Sequence, residues 1–285
     1  MPKNLSSAIQ TGPLSVGDVV SASLRIYRDH FKSYFGLALV GYLWLLVPIY
    51  GWAKFSAIAA LISRLAFGEV SEHPETVSDA RSQVAPRMWS FLGAGILTSL
   101  IFFGVYLAGV IAIGILAGGV LAAAGMLGQN STIIGLIVGL LVAVAFIALL
   151  IICIRIVSQL LIVELPLAIE NNLTASSAIS RSWELTKGSV GRIVWIVFVG
   201  SLVSLPITIV VQIIAAIVQG VLSGTLGANS GMFYLVYYLL ILPLSFGIGA
   251  LVLPFWQAMK AIIYYDLRSR KEGLGLQMRD AKRKQ

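Results

Sequence analysis

Charge is what this 285-residue chain has least of, since Asp, Glu, Lys and Arg together make up 11% of it. A soluble domain carries about 25%. Residues 88–154 contain none of the four, and neither do residues 193–259, so two stretches of 67 residues are free of charge. Arg87 and Arg155 bound the first, Arg192 and Lys260 the second. A water-soluble fold cannot leave that much surface apolar. Cysteine is reduced to Cys153, which excludes an intrachain disulfide and a Cys-based metal site. Two histidines, His30 and His73, lie far apart in polar flanks, whereas a metal-dependent hydrolase needs several carboxylates and usually histidines around its ion. No Gly-x-Ser-x-Gly, phosphate loop or dinucleotide fingerprint is present. These absences give no catalytic constellation, so we expect neither enzyme activity nor a cofactor.

Hydrophobic residues fill the space: 58% of the chain, with mean hydropathy +0.93. Segments crossing a bilayer must satisfy their own backbone polar groups, which leaves helices or a closed barrel. Barrel strands would alternate apolar and polar positions. Residues 133–154 are apolar on every face, so the expectation is an all-α integral membrane protein, a polytopic helical bundle. The apolar segments are 34–63, 89–126, 133–163, 193–222 and 232–265.

Five spans would put the two basic termini on opposite sides, against the tendency of basic loops to stay cytoplasmic. If 34–63 is a hairpin broken near Pro48 and Gly51, six segments result. Pro48 removes a donor and Gly51 permits a tight reversal. Then 18 of the 20 Lys and Arg share one face, with only Lys54 and Arg155 unplaced. The first arm, 34–47, is 14 residues, roughly 21 Å and short of a ~30 Å hydrocarbon core. The alternative is a single long tilted helix kinked at Pro48. The charge pattern places both termini in the cytoplasm, in what we read as a bacterial cytoplasmic membrane. The charges before Tyr34 argue against a cleaved signal peptide, so the first apolar segment is expected to act as an uncleaved anchor.

Each hairpin follows a polar, helix-prone stretch. In the first, Ser15 and Asp18 have capping-box spacing, and Val16, Val20, Leu24, Tyr27 and Phe31 form an apolar stripe. Arg25, Arg28, Asp29 and Lys32 lie off it. Such a helix suits the membrane interface, with Arg25 and Arg28 toward anionic headgroups, or packs on the bundle's cytoplasmic end. The stretch 76–87 is a poorer copy ended by Pro86. In the third, Asn172 or Thr174 can cap the start and Gly188 the end, with Ala178, Ile179, Ser182, Trp183 and Thr186 as the stripe. The hairpin ends ISRLAFGEV (62–70), VSQLLIVEL (157–165) and MKAIIYYDL (259–267) align without gaps, each with one acid: Glu69, Glu164 or Asp266. Together these features predict one membrane domain over 1–285, built as three repeats of amphipathic helix plus hairpin at about 15–69, 76–164 and 174–266. Residues 267–285 read as a basic cytoplasmic tail.

Besides Lys54, two basic residues, Arg155 and Lys260, lie inside the apolar segments. Arg155 is nine residues before Glu164, ~13 Å into the helix, where a charge needs a partner, water or snorkelling. It is read as snorkelling or as a counter-ion for an anionic lipid or substrate. Lys260 reads as a snorkelling lysine that contacts lipid. Gly114 and Gly118, with Gly135 and Gly139, have the spacing that lets helices approach closely and are expected to zip the second hairpin. Gln212, Gln219 and Gln257 are candidates for interhelical hydrogen bonds. A net charge of +8 with pI about 9.7 is assigned to anionic lipid rather than nucleic acid, since the basic residues flank spans.

The segments LSVGDVVSASLRIYR (14–28), AISRSWELTKG (178–188) and IYYDLRSRKEG (263–273) resemble the membrane domain associated with glycerophosphoryl diester phosphodiesterases. The resemblance implies six helices with cytoplasmic termini over most of the chain. It does not imply hydrolysis, because the stretch after Tyr265 is too short for the soluble phosphodiesterase domain. The expected function is non-enzymatic: organising or stabilising membrane proteins or anionic lipids. Alternatives are transport or export of a small or lipid-like anion and, on the resemblance alone, an accessory role to a separate phosphodiesterase or lipid enzyme.

Overall fold

The computed structural model describes residues 14–126, 131–228 and 230–273, and the described residues contain helices and no strand. Ten α-helices follow in order: α1 Val16–Asp29, α2 Phe31–Trp44, α3 Tyr50–Val70, α4 Val77–Val84, α5 Met88–Met126, α6 Ser131–Leu160, α7 Glu164–Ile169, α8 Ala175–Thr186, α9 Val190–Leu226 and α10 Gly231–Glu272. The stretches that carry α5, α6, α9 and α10 are long and apolar enough to cross a membrane. At 39, 30, 37 and 42 residues these helices reach roughly 45–63 Å. Their outer faces carry Leu136, 72% exposed, Ile115, 69%, and Leu239, 68%. Water would not tolerate such a surface, whereas hydrocarbon does. The protein is an all-α membrane bundle.

The short helices cap one end of this bundle. The Ser15 side chain accepts from the Asp18 amide at 3.2 Å and the Asp18 carboxylate accepts from the Ser15 amide at 3.0 Å, completing the capping box. Thr76 caps α4, and Pro86 follows in a 3-10 turn, Ala85–Arg87, that leads directly into α5. Thr174 caps α8, with a reciprocal bond from Ser177, while Asn172 takes a positive φ of 62° in the preceding turn. Gly188, at φ 84°, provides the reversal after α8.

The buried faces of α1 and α8 coincide with their sequence stripes in part, at Val20 of α1 and at Ala178, Ser182 and Thr186 of α8. The buried side of α1 is Val19, Val20, Ala22, Ser23 and Ile26, packed on α9 and α10, while Leu24 and Phe31 are exposed. In α8, Ala178, Ser182, Leu185 and Thr186 are buried and Trp183 faces outward. Leu24 and Phe31 stay outside, whereas Tyr27 is half-buried against the core and meets the Phe31 ring at 5.4 Å.

Segment 34–63 forms two helices joined by a tight turn rather than one kinked rod. Tyr42 of α2 meets Phe55 of α3 with ring centroids 5.2 Å apart, a contact a continuous helix cannot make. The reversal sits at Ile49, a β-branched residue at φ 60°. Gly51 serves differently from expectation: a Cβ there would lie 1.7 Å from the Trp44 carbonyl oxygen, so it permits close approach of the two helices. The hairpin packs against α10, where Gly249 abuts the Tyr42 ring.

The core lies at the capped end. Ile26, Ile62, Leu165, Leu185, Ile196 and Ile262 are almost fully buried there. The outer halves of α5 and α6 pack more loosely, flanking an apolar groove of about 410 Å3 between Ile113, Ala117, Val138, Val142 and Ala145, among others. A Cβ at Gly114, Gly118, Gly135 or Gly139 would meet nothing within 4 Å. The expected glycine zipper is therefore not formed: the spacing puts the glycines on one face, but no neighbour lies against it. The close approaches are elsewhere, at Gly109 against Leu149 and Gly200 against Met259.

Candidate functional site

Most ionised side chains gather at the capped end, and most are paired. Asp266, near the end of α10, has a side chain only 5% exposed. It accepts from the Leu14 amide at 3.2 Å and from Arg192, and it forms an ion pair with Arg270 at 2.9 Å. Arg192, near the start of α9, also donates to the Leu14 carbonyl. The chain entering α1 is thereby latched onto the last two helices. Glu170 accepts from Arg181 Nε at 3.1 Å and from the Tyr264 hydroxyl at 2.6 Å. Arg181 also donates to Glu272, which Arg268 approaches at 2.9 Å. These two carboxylates hold the Arg181 guanidinium, on α8, above its ordinary range against the opposing effect of its burial.

Arg64 of α3 makes a two-pronged contact with Glu75, at 2.7 and 2.8 Å, and donates to the Ala168 carbonyl at 2.6 Å. Arg87 holds the Glu170 and Leu173 carbonyls. Lys271 reaches the Glu184 and Lys187 carbonyls. The first residues assigned to a basic tail are thus helical as far as Glu272 and docked on α8; residues 274–285 lie outside the described residues.

One polar cluster sits deeper. Lys260 of α10 lies 3.2 Å from Glu164 Oε1. The Ser63 hydroxyl on α3 lies 3.0 Å from the same oxygen and 2.9 Å from Gln257 Oε1. Lys260 is six residues before Asp266, ~9 Å along the helix from the ion-paired end. Lys260 is therefore paired with Glu164 instead of snorkelling alone, and its partner is 96 residues away in sequence.

Glu164, Gln257 and Lys260 of this cluster line a groove of about 400 Å3, whose other lining residues include Phe55, Ser56, Phe91, Thr98, Ser99 and Leu253. Ser56, Gly95 and Ser99 also line a second, more open hollow that continues along Leu92, Ile96, Leu100 and Phe103 of α5. The two form an amphipathic channel on the side of the bundle, polar at its base and apolar along its length. Its volume falls within the ~300–1,000 Å3 of small-molecule sites.

The other singled-out residues are scattered. Arg155 is exposed on α6, with no ion pair among the described residues, so it faces outward and not into the bundle. Arg28 is exposed and lies 3.5 Å from Asp29. Arg25 is half-buried, its Nε enclosed without a hydrogen-bond partner. Gln257 bonds across helices as expected, whereas Gln212 and Gln219 are exposed on α9. The repeat-end acids all engage: Glu69 lies 3.4 Å from His30, and Glu164 and Asp266 are paired as above. Glu75, which reads as a plain loop acid, is Arg64's partner. Comparison with the models of known protein families, with curated proteins and with solved structures returned no match. The resemblance to the phosphodiesterase-associated membrane domain thus stands on its quoted segments alone.

Proposed function

We propose that this is a non-catalytic, multi-pass membrane protein that organises or stabilises other membrane components, anionic lipids or membrane proteins. The observation that carries the reading is the contrast between its two regions. One end concentrates basic groups and locks them to helix ends through carboxylates and carbonyls, while the outward faces beyond it are almost entirely uncharged apolar surface. The first gives a rigid platform next to headgroups; the second gives a wide face for lipid or neighbouring helices.

In this reading the hairpin of α2 and α3 is the short third member of a six-segment, three-repeat architecture. The capped end, with both termini, lies in the cytoplasm of a bacterial cell. The aligned acids Glu69, Glu164 and Asp266, each in a polar contact near a helix end, support the repeat. The exposed Leu24 of α1 and Phe31 at the start of α2 support placement of that region in the interface. Arg155, outward-facing and unpaired, is a lipid-contact residue that extends toward headgroups.

A second reading is transport of a small or lipid-like anion. It is favoured by the Ser63–Glu164–Gln257–Lys260 cluster beneath a lipid-accessible groove, because ionisable groups within a membrane bundle commonly mark a pathway. Purification of the full chain in mild detergent, with identification of the lipids and proteins retained, tests the first reading. A monodisperse protein carrying neither would sink it. Arg155→Leu and Lys260→Met separate the two: an organiser keeps its fold and partners with Arg155→Leu, whereas a transporter folds and loses flux in one or both variants.

A further inference from the structure

Lys54 finds no counter-ion in the sequence pattern, and the structure shows why that matters. It lies on α3, one turn beyond the Ile49 reversal, and its contact is with the Tyr50 ring, 5.5 Å from the centroid. It opens onto a cavity of about 180 Å3 that also holds Arg81, from α4, together with Val40, Trp44, Leu61 and Met88. No carboxylate lines this cavity among the described residues. Arg81 has no ion pair there either. By contrast Arg64, Arg181, Arg192, Lys260 and Arg268 all have carboxylate partners. Two cations without an ion pair, Lys54 partly buried and Arg81 exposed, therefore meet from separate elements at one largely apolar hollow. An unpaired charge against hydrocarbon is costly and calls for a partner.

We propose that this cavity seats the phosphate of an anionic phospholipid. Arg81 offers a planar fork suited to two phosphate oxygens, and Lys54 adds a point charge. Trp44 supplies the ring that favours the headgroup boundary. Val40, Leu43 and Val47, spaced three and four apart along α2 and its turn, are 48%, 53% and 44% exposed, an open apolar strip for an acyl chain. The charge balance selects the lipid class. Two cations with no acid complement a phosphodiester and offer nothing to a headgroup ammonium, so an anionic glycerol-type headgroup is preferred over a choline or ethanolamine one. The acyl strip distinguishes lipid from free phosphate. This inference rests on the membrane-organiser reading and gives it a defined site, separate from the ion-paired end.

The test uses the full chain, stripped of lipid in neutral detergent and titrated with phosphatidylglycerol, phosphatidylcholine or inorganic phosphate. Bound lipid is counted by native mass spectrometry and stability is followed by thermal melting. The wild type is expected to retain one phosphatidylglycerol at this site, at least tenfold more tightly than phosphatidylcholine. Lys54→Met and Arg81→Gln should each lose that molecule while Lys54→Arg keeps it; Arg81 is exposed on a short surface helix, so its variant will fold even if Lys54→Met does not. Equal retention by wild type and Arg81→Gln overturns the site. A stabilisation by inorganic phosphate equal to that by phosphatidylglycerol overturns the lipid assignment. Failure of the wild type to retain any phospholipid overturns the broader reading as well.

Discussion

Asp266→Ala should release the start of the chain from the bundle. The carboxylate is 5% exposed, accepts from the Leu14 amide and Arg192, and pairs with Arg270. Breaking a buried pair by removing one partner costs about 3–5 kcal/mol. Two features reduce the figure here. Arg192 is 22% exposed and keeps its bond to the Leu14 carbonyl, and Arg270, 36% exposed, can turn to water. The lower end, about 3 kcal/mol, is the appropriate magnitude, and it includes the charge-assisted bond to the Leu14 amide. The loss falls on the latch rather than on the spans, so it appears as local opening. At 1.4 kcal/mol per decade, hydrogen exchange in α1 should speed up about a hundredfold. Asp266→Asn keeps an acceptor and should give about tenfold. Arg270→Gln, an exposed partner, should change exchange little. The measurement is amide exchange by mass spectrometry on the full chain in detergent. Unchanged protection of 16–29 in Asp266→Ala, or an equal effect from Arg270→Gln, would refute the latch.

Glycine substitutions should follow neighbours and not spacing. Gly249→Ala brings a Cβ to 2.3 Å from the Tyr42 ring and should lower the melting temperature through an overpacking loss of about 1–3 kcal/mol, whereas Gly114→Ala and Gly139→Ala should be neutral or stabilising by up to about 1 kcal/mol. The α1 cap should depend on pH. The Asp18 carboxyl is held below its ordinary value of 3.8 by its bond with the Ser15 side chain first and the Ser15 backbone second. Its contribution is therefore full above the ordinary carboxylate range and lost as pH falls through the depressed value. Exchange at the start of α1 should accelerate as pH falls below the ordinary carboxylate range; Ser15→Ala should remove that acid-dependent step, and an unchanged acid profile in the variant would count against the capping box as its cause.

The helical class and the interrupted first segment were legible because both follow from local chemistry. A run such as 133–154 admits no half-polar strand, and Pro48 with Gly51 marks a local break that prolines alone do not make, since Pro206, Pro243 and Pro254 lie inside continuous helices. The caps at Ser15, Thr174 and Gly188 were legible for the same reason, since each acts within about three residues. Which face of an amphipathic helix turns inward was not. Near a membrane both faces of α1 have apolar uses, so periodicity finds the stripe of Leu24 and Phe31 without saying that Ser23 and Ile26 are the buried side. The glycine spacing fails similarly: it describes one helix, while close approach is a property of two.

The polar contacts were least legible because their partners are remote in the chain. Ser63 meets Glu164 across 101 residues, Lys260 meets Glu164 across 96, and Asp266 meets Leu14 across 252. No local spacing rule reaches those distances. A sparse-charge sequence nevertheless narrows the search. With 20 basic and 12 acidic side chains, each buried cation must find one of few carboxylates, and those that find none become informative. Arg155 faces outward on α6, where it can extend toward headgroups. Lys54 and Arg81 instead meet at one hollow that no carboxylate lines among the described residues. An excess of positive charge in an apolar-walled space is thus the feature that most directly implies an external ligand.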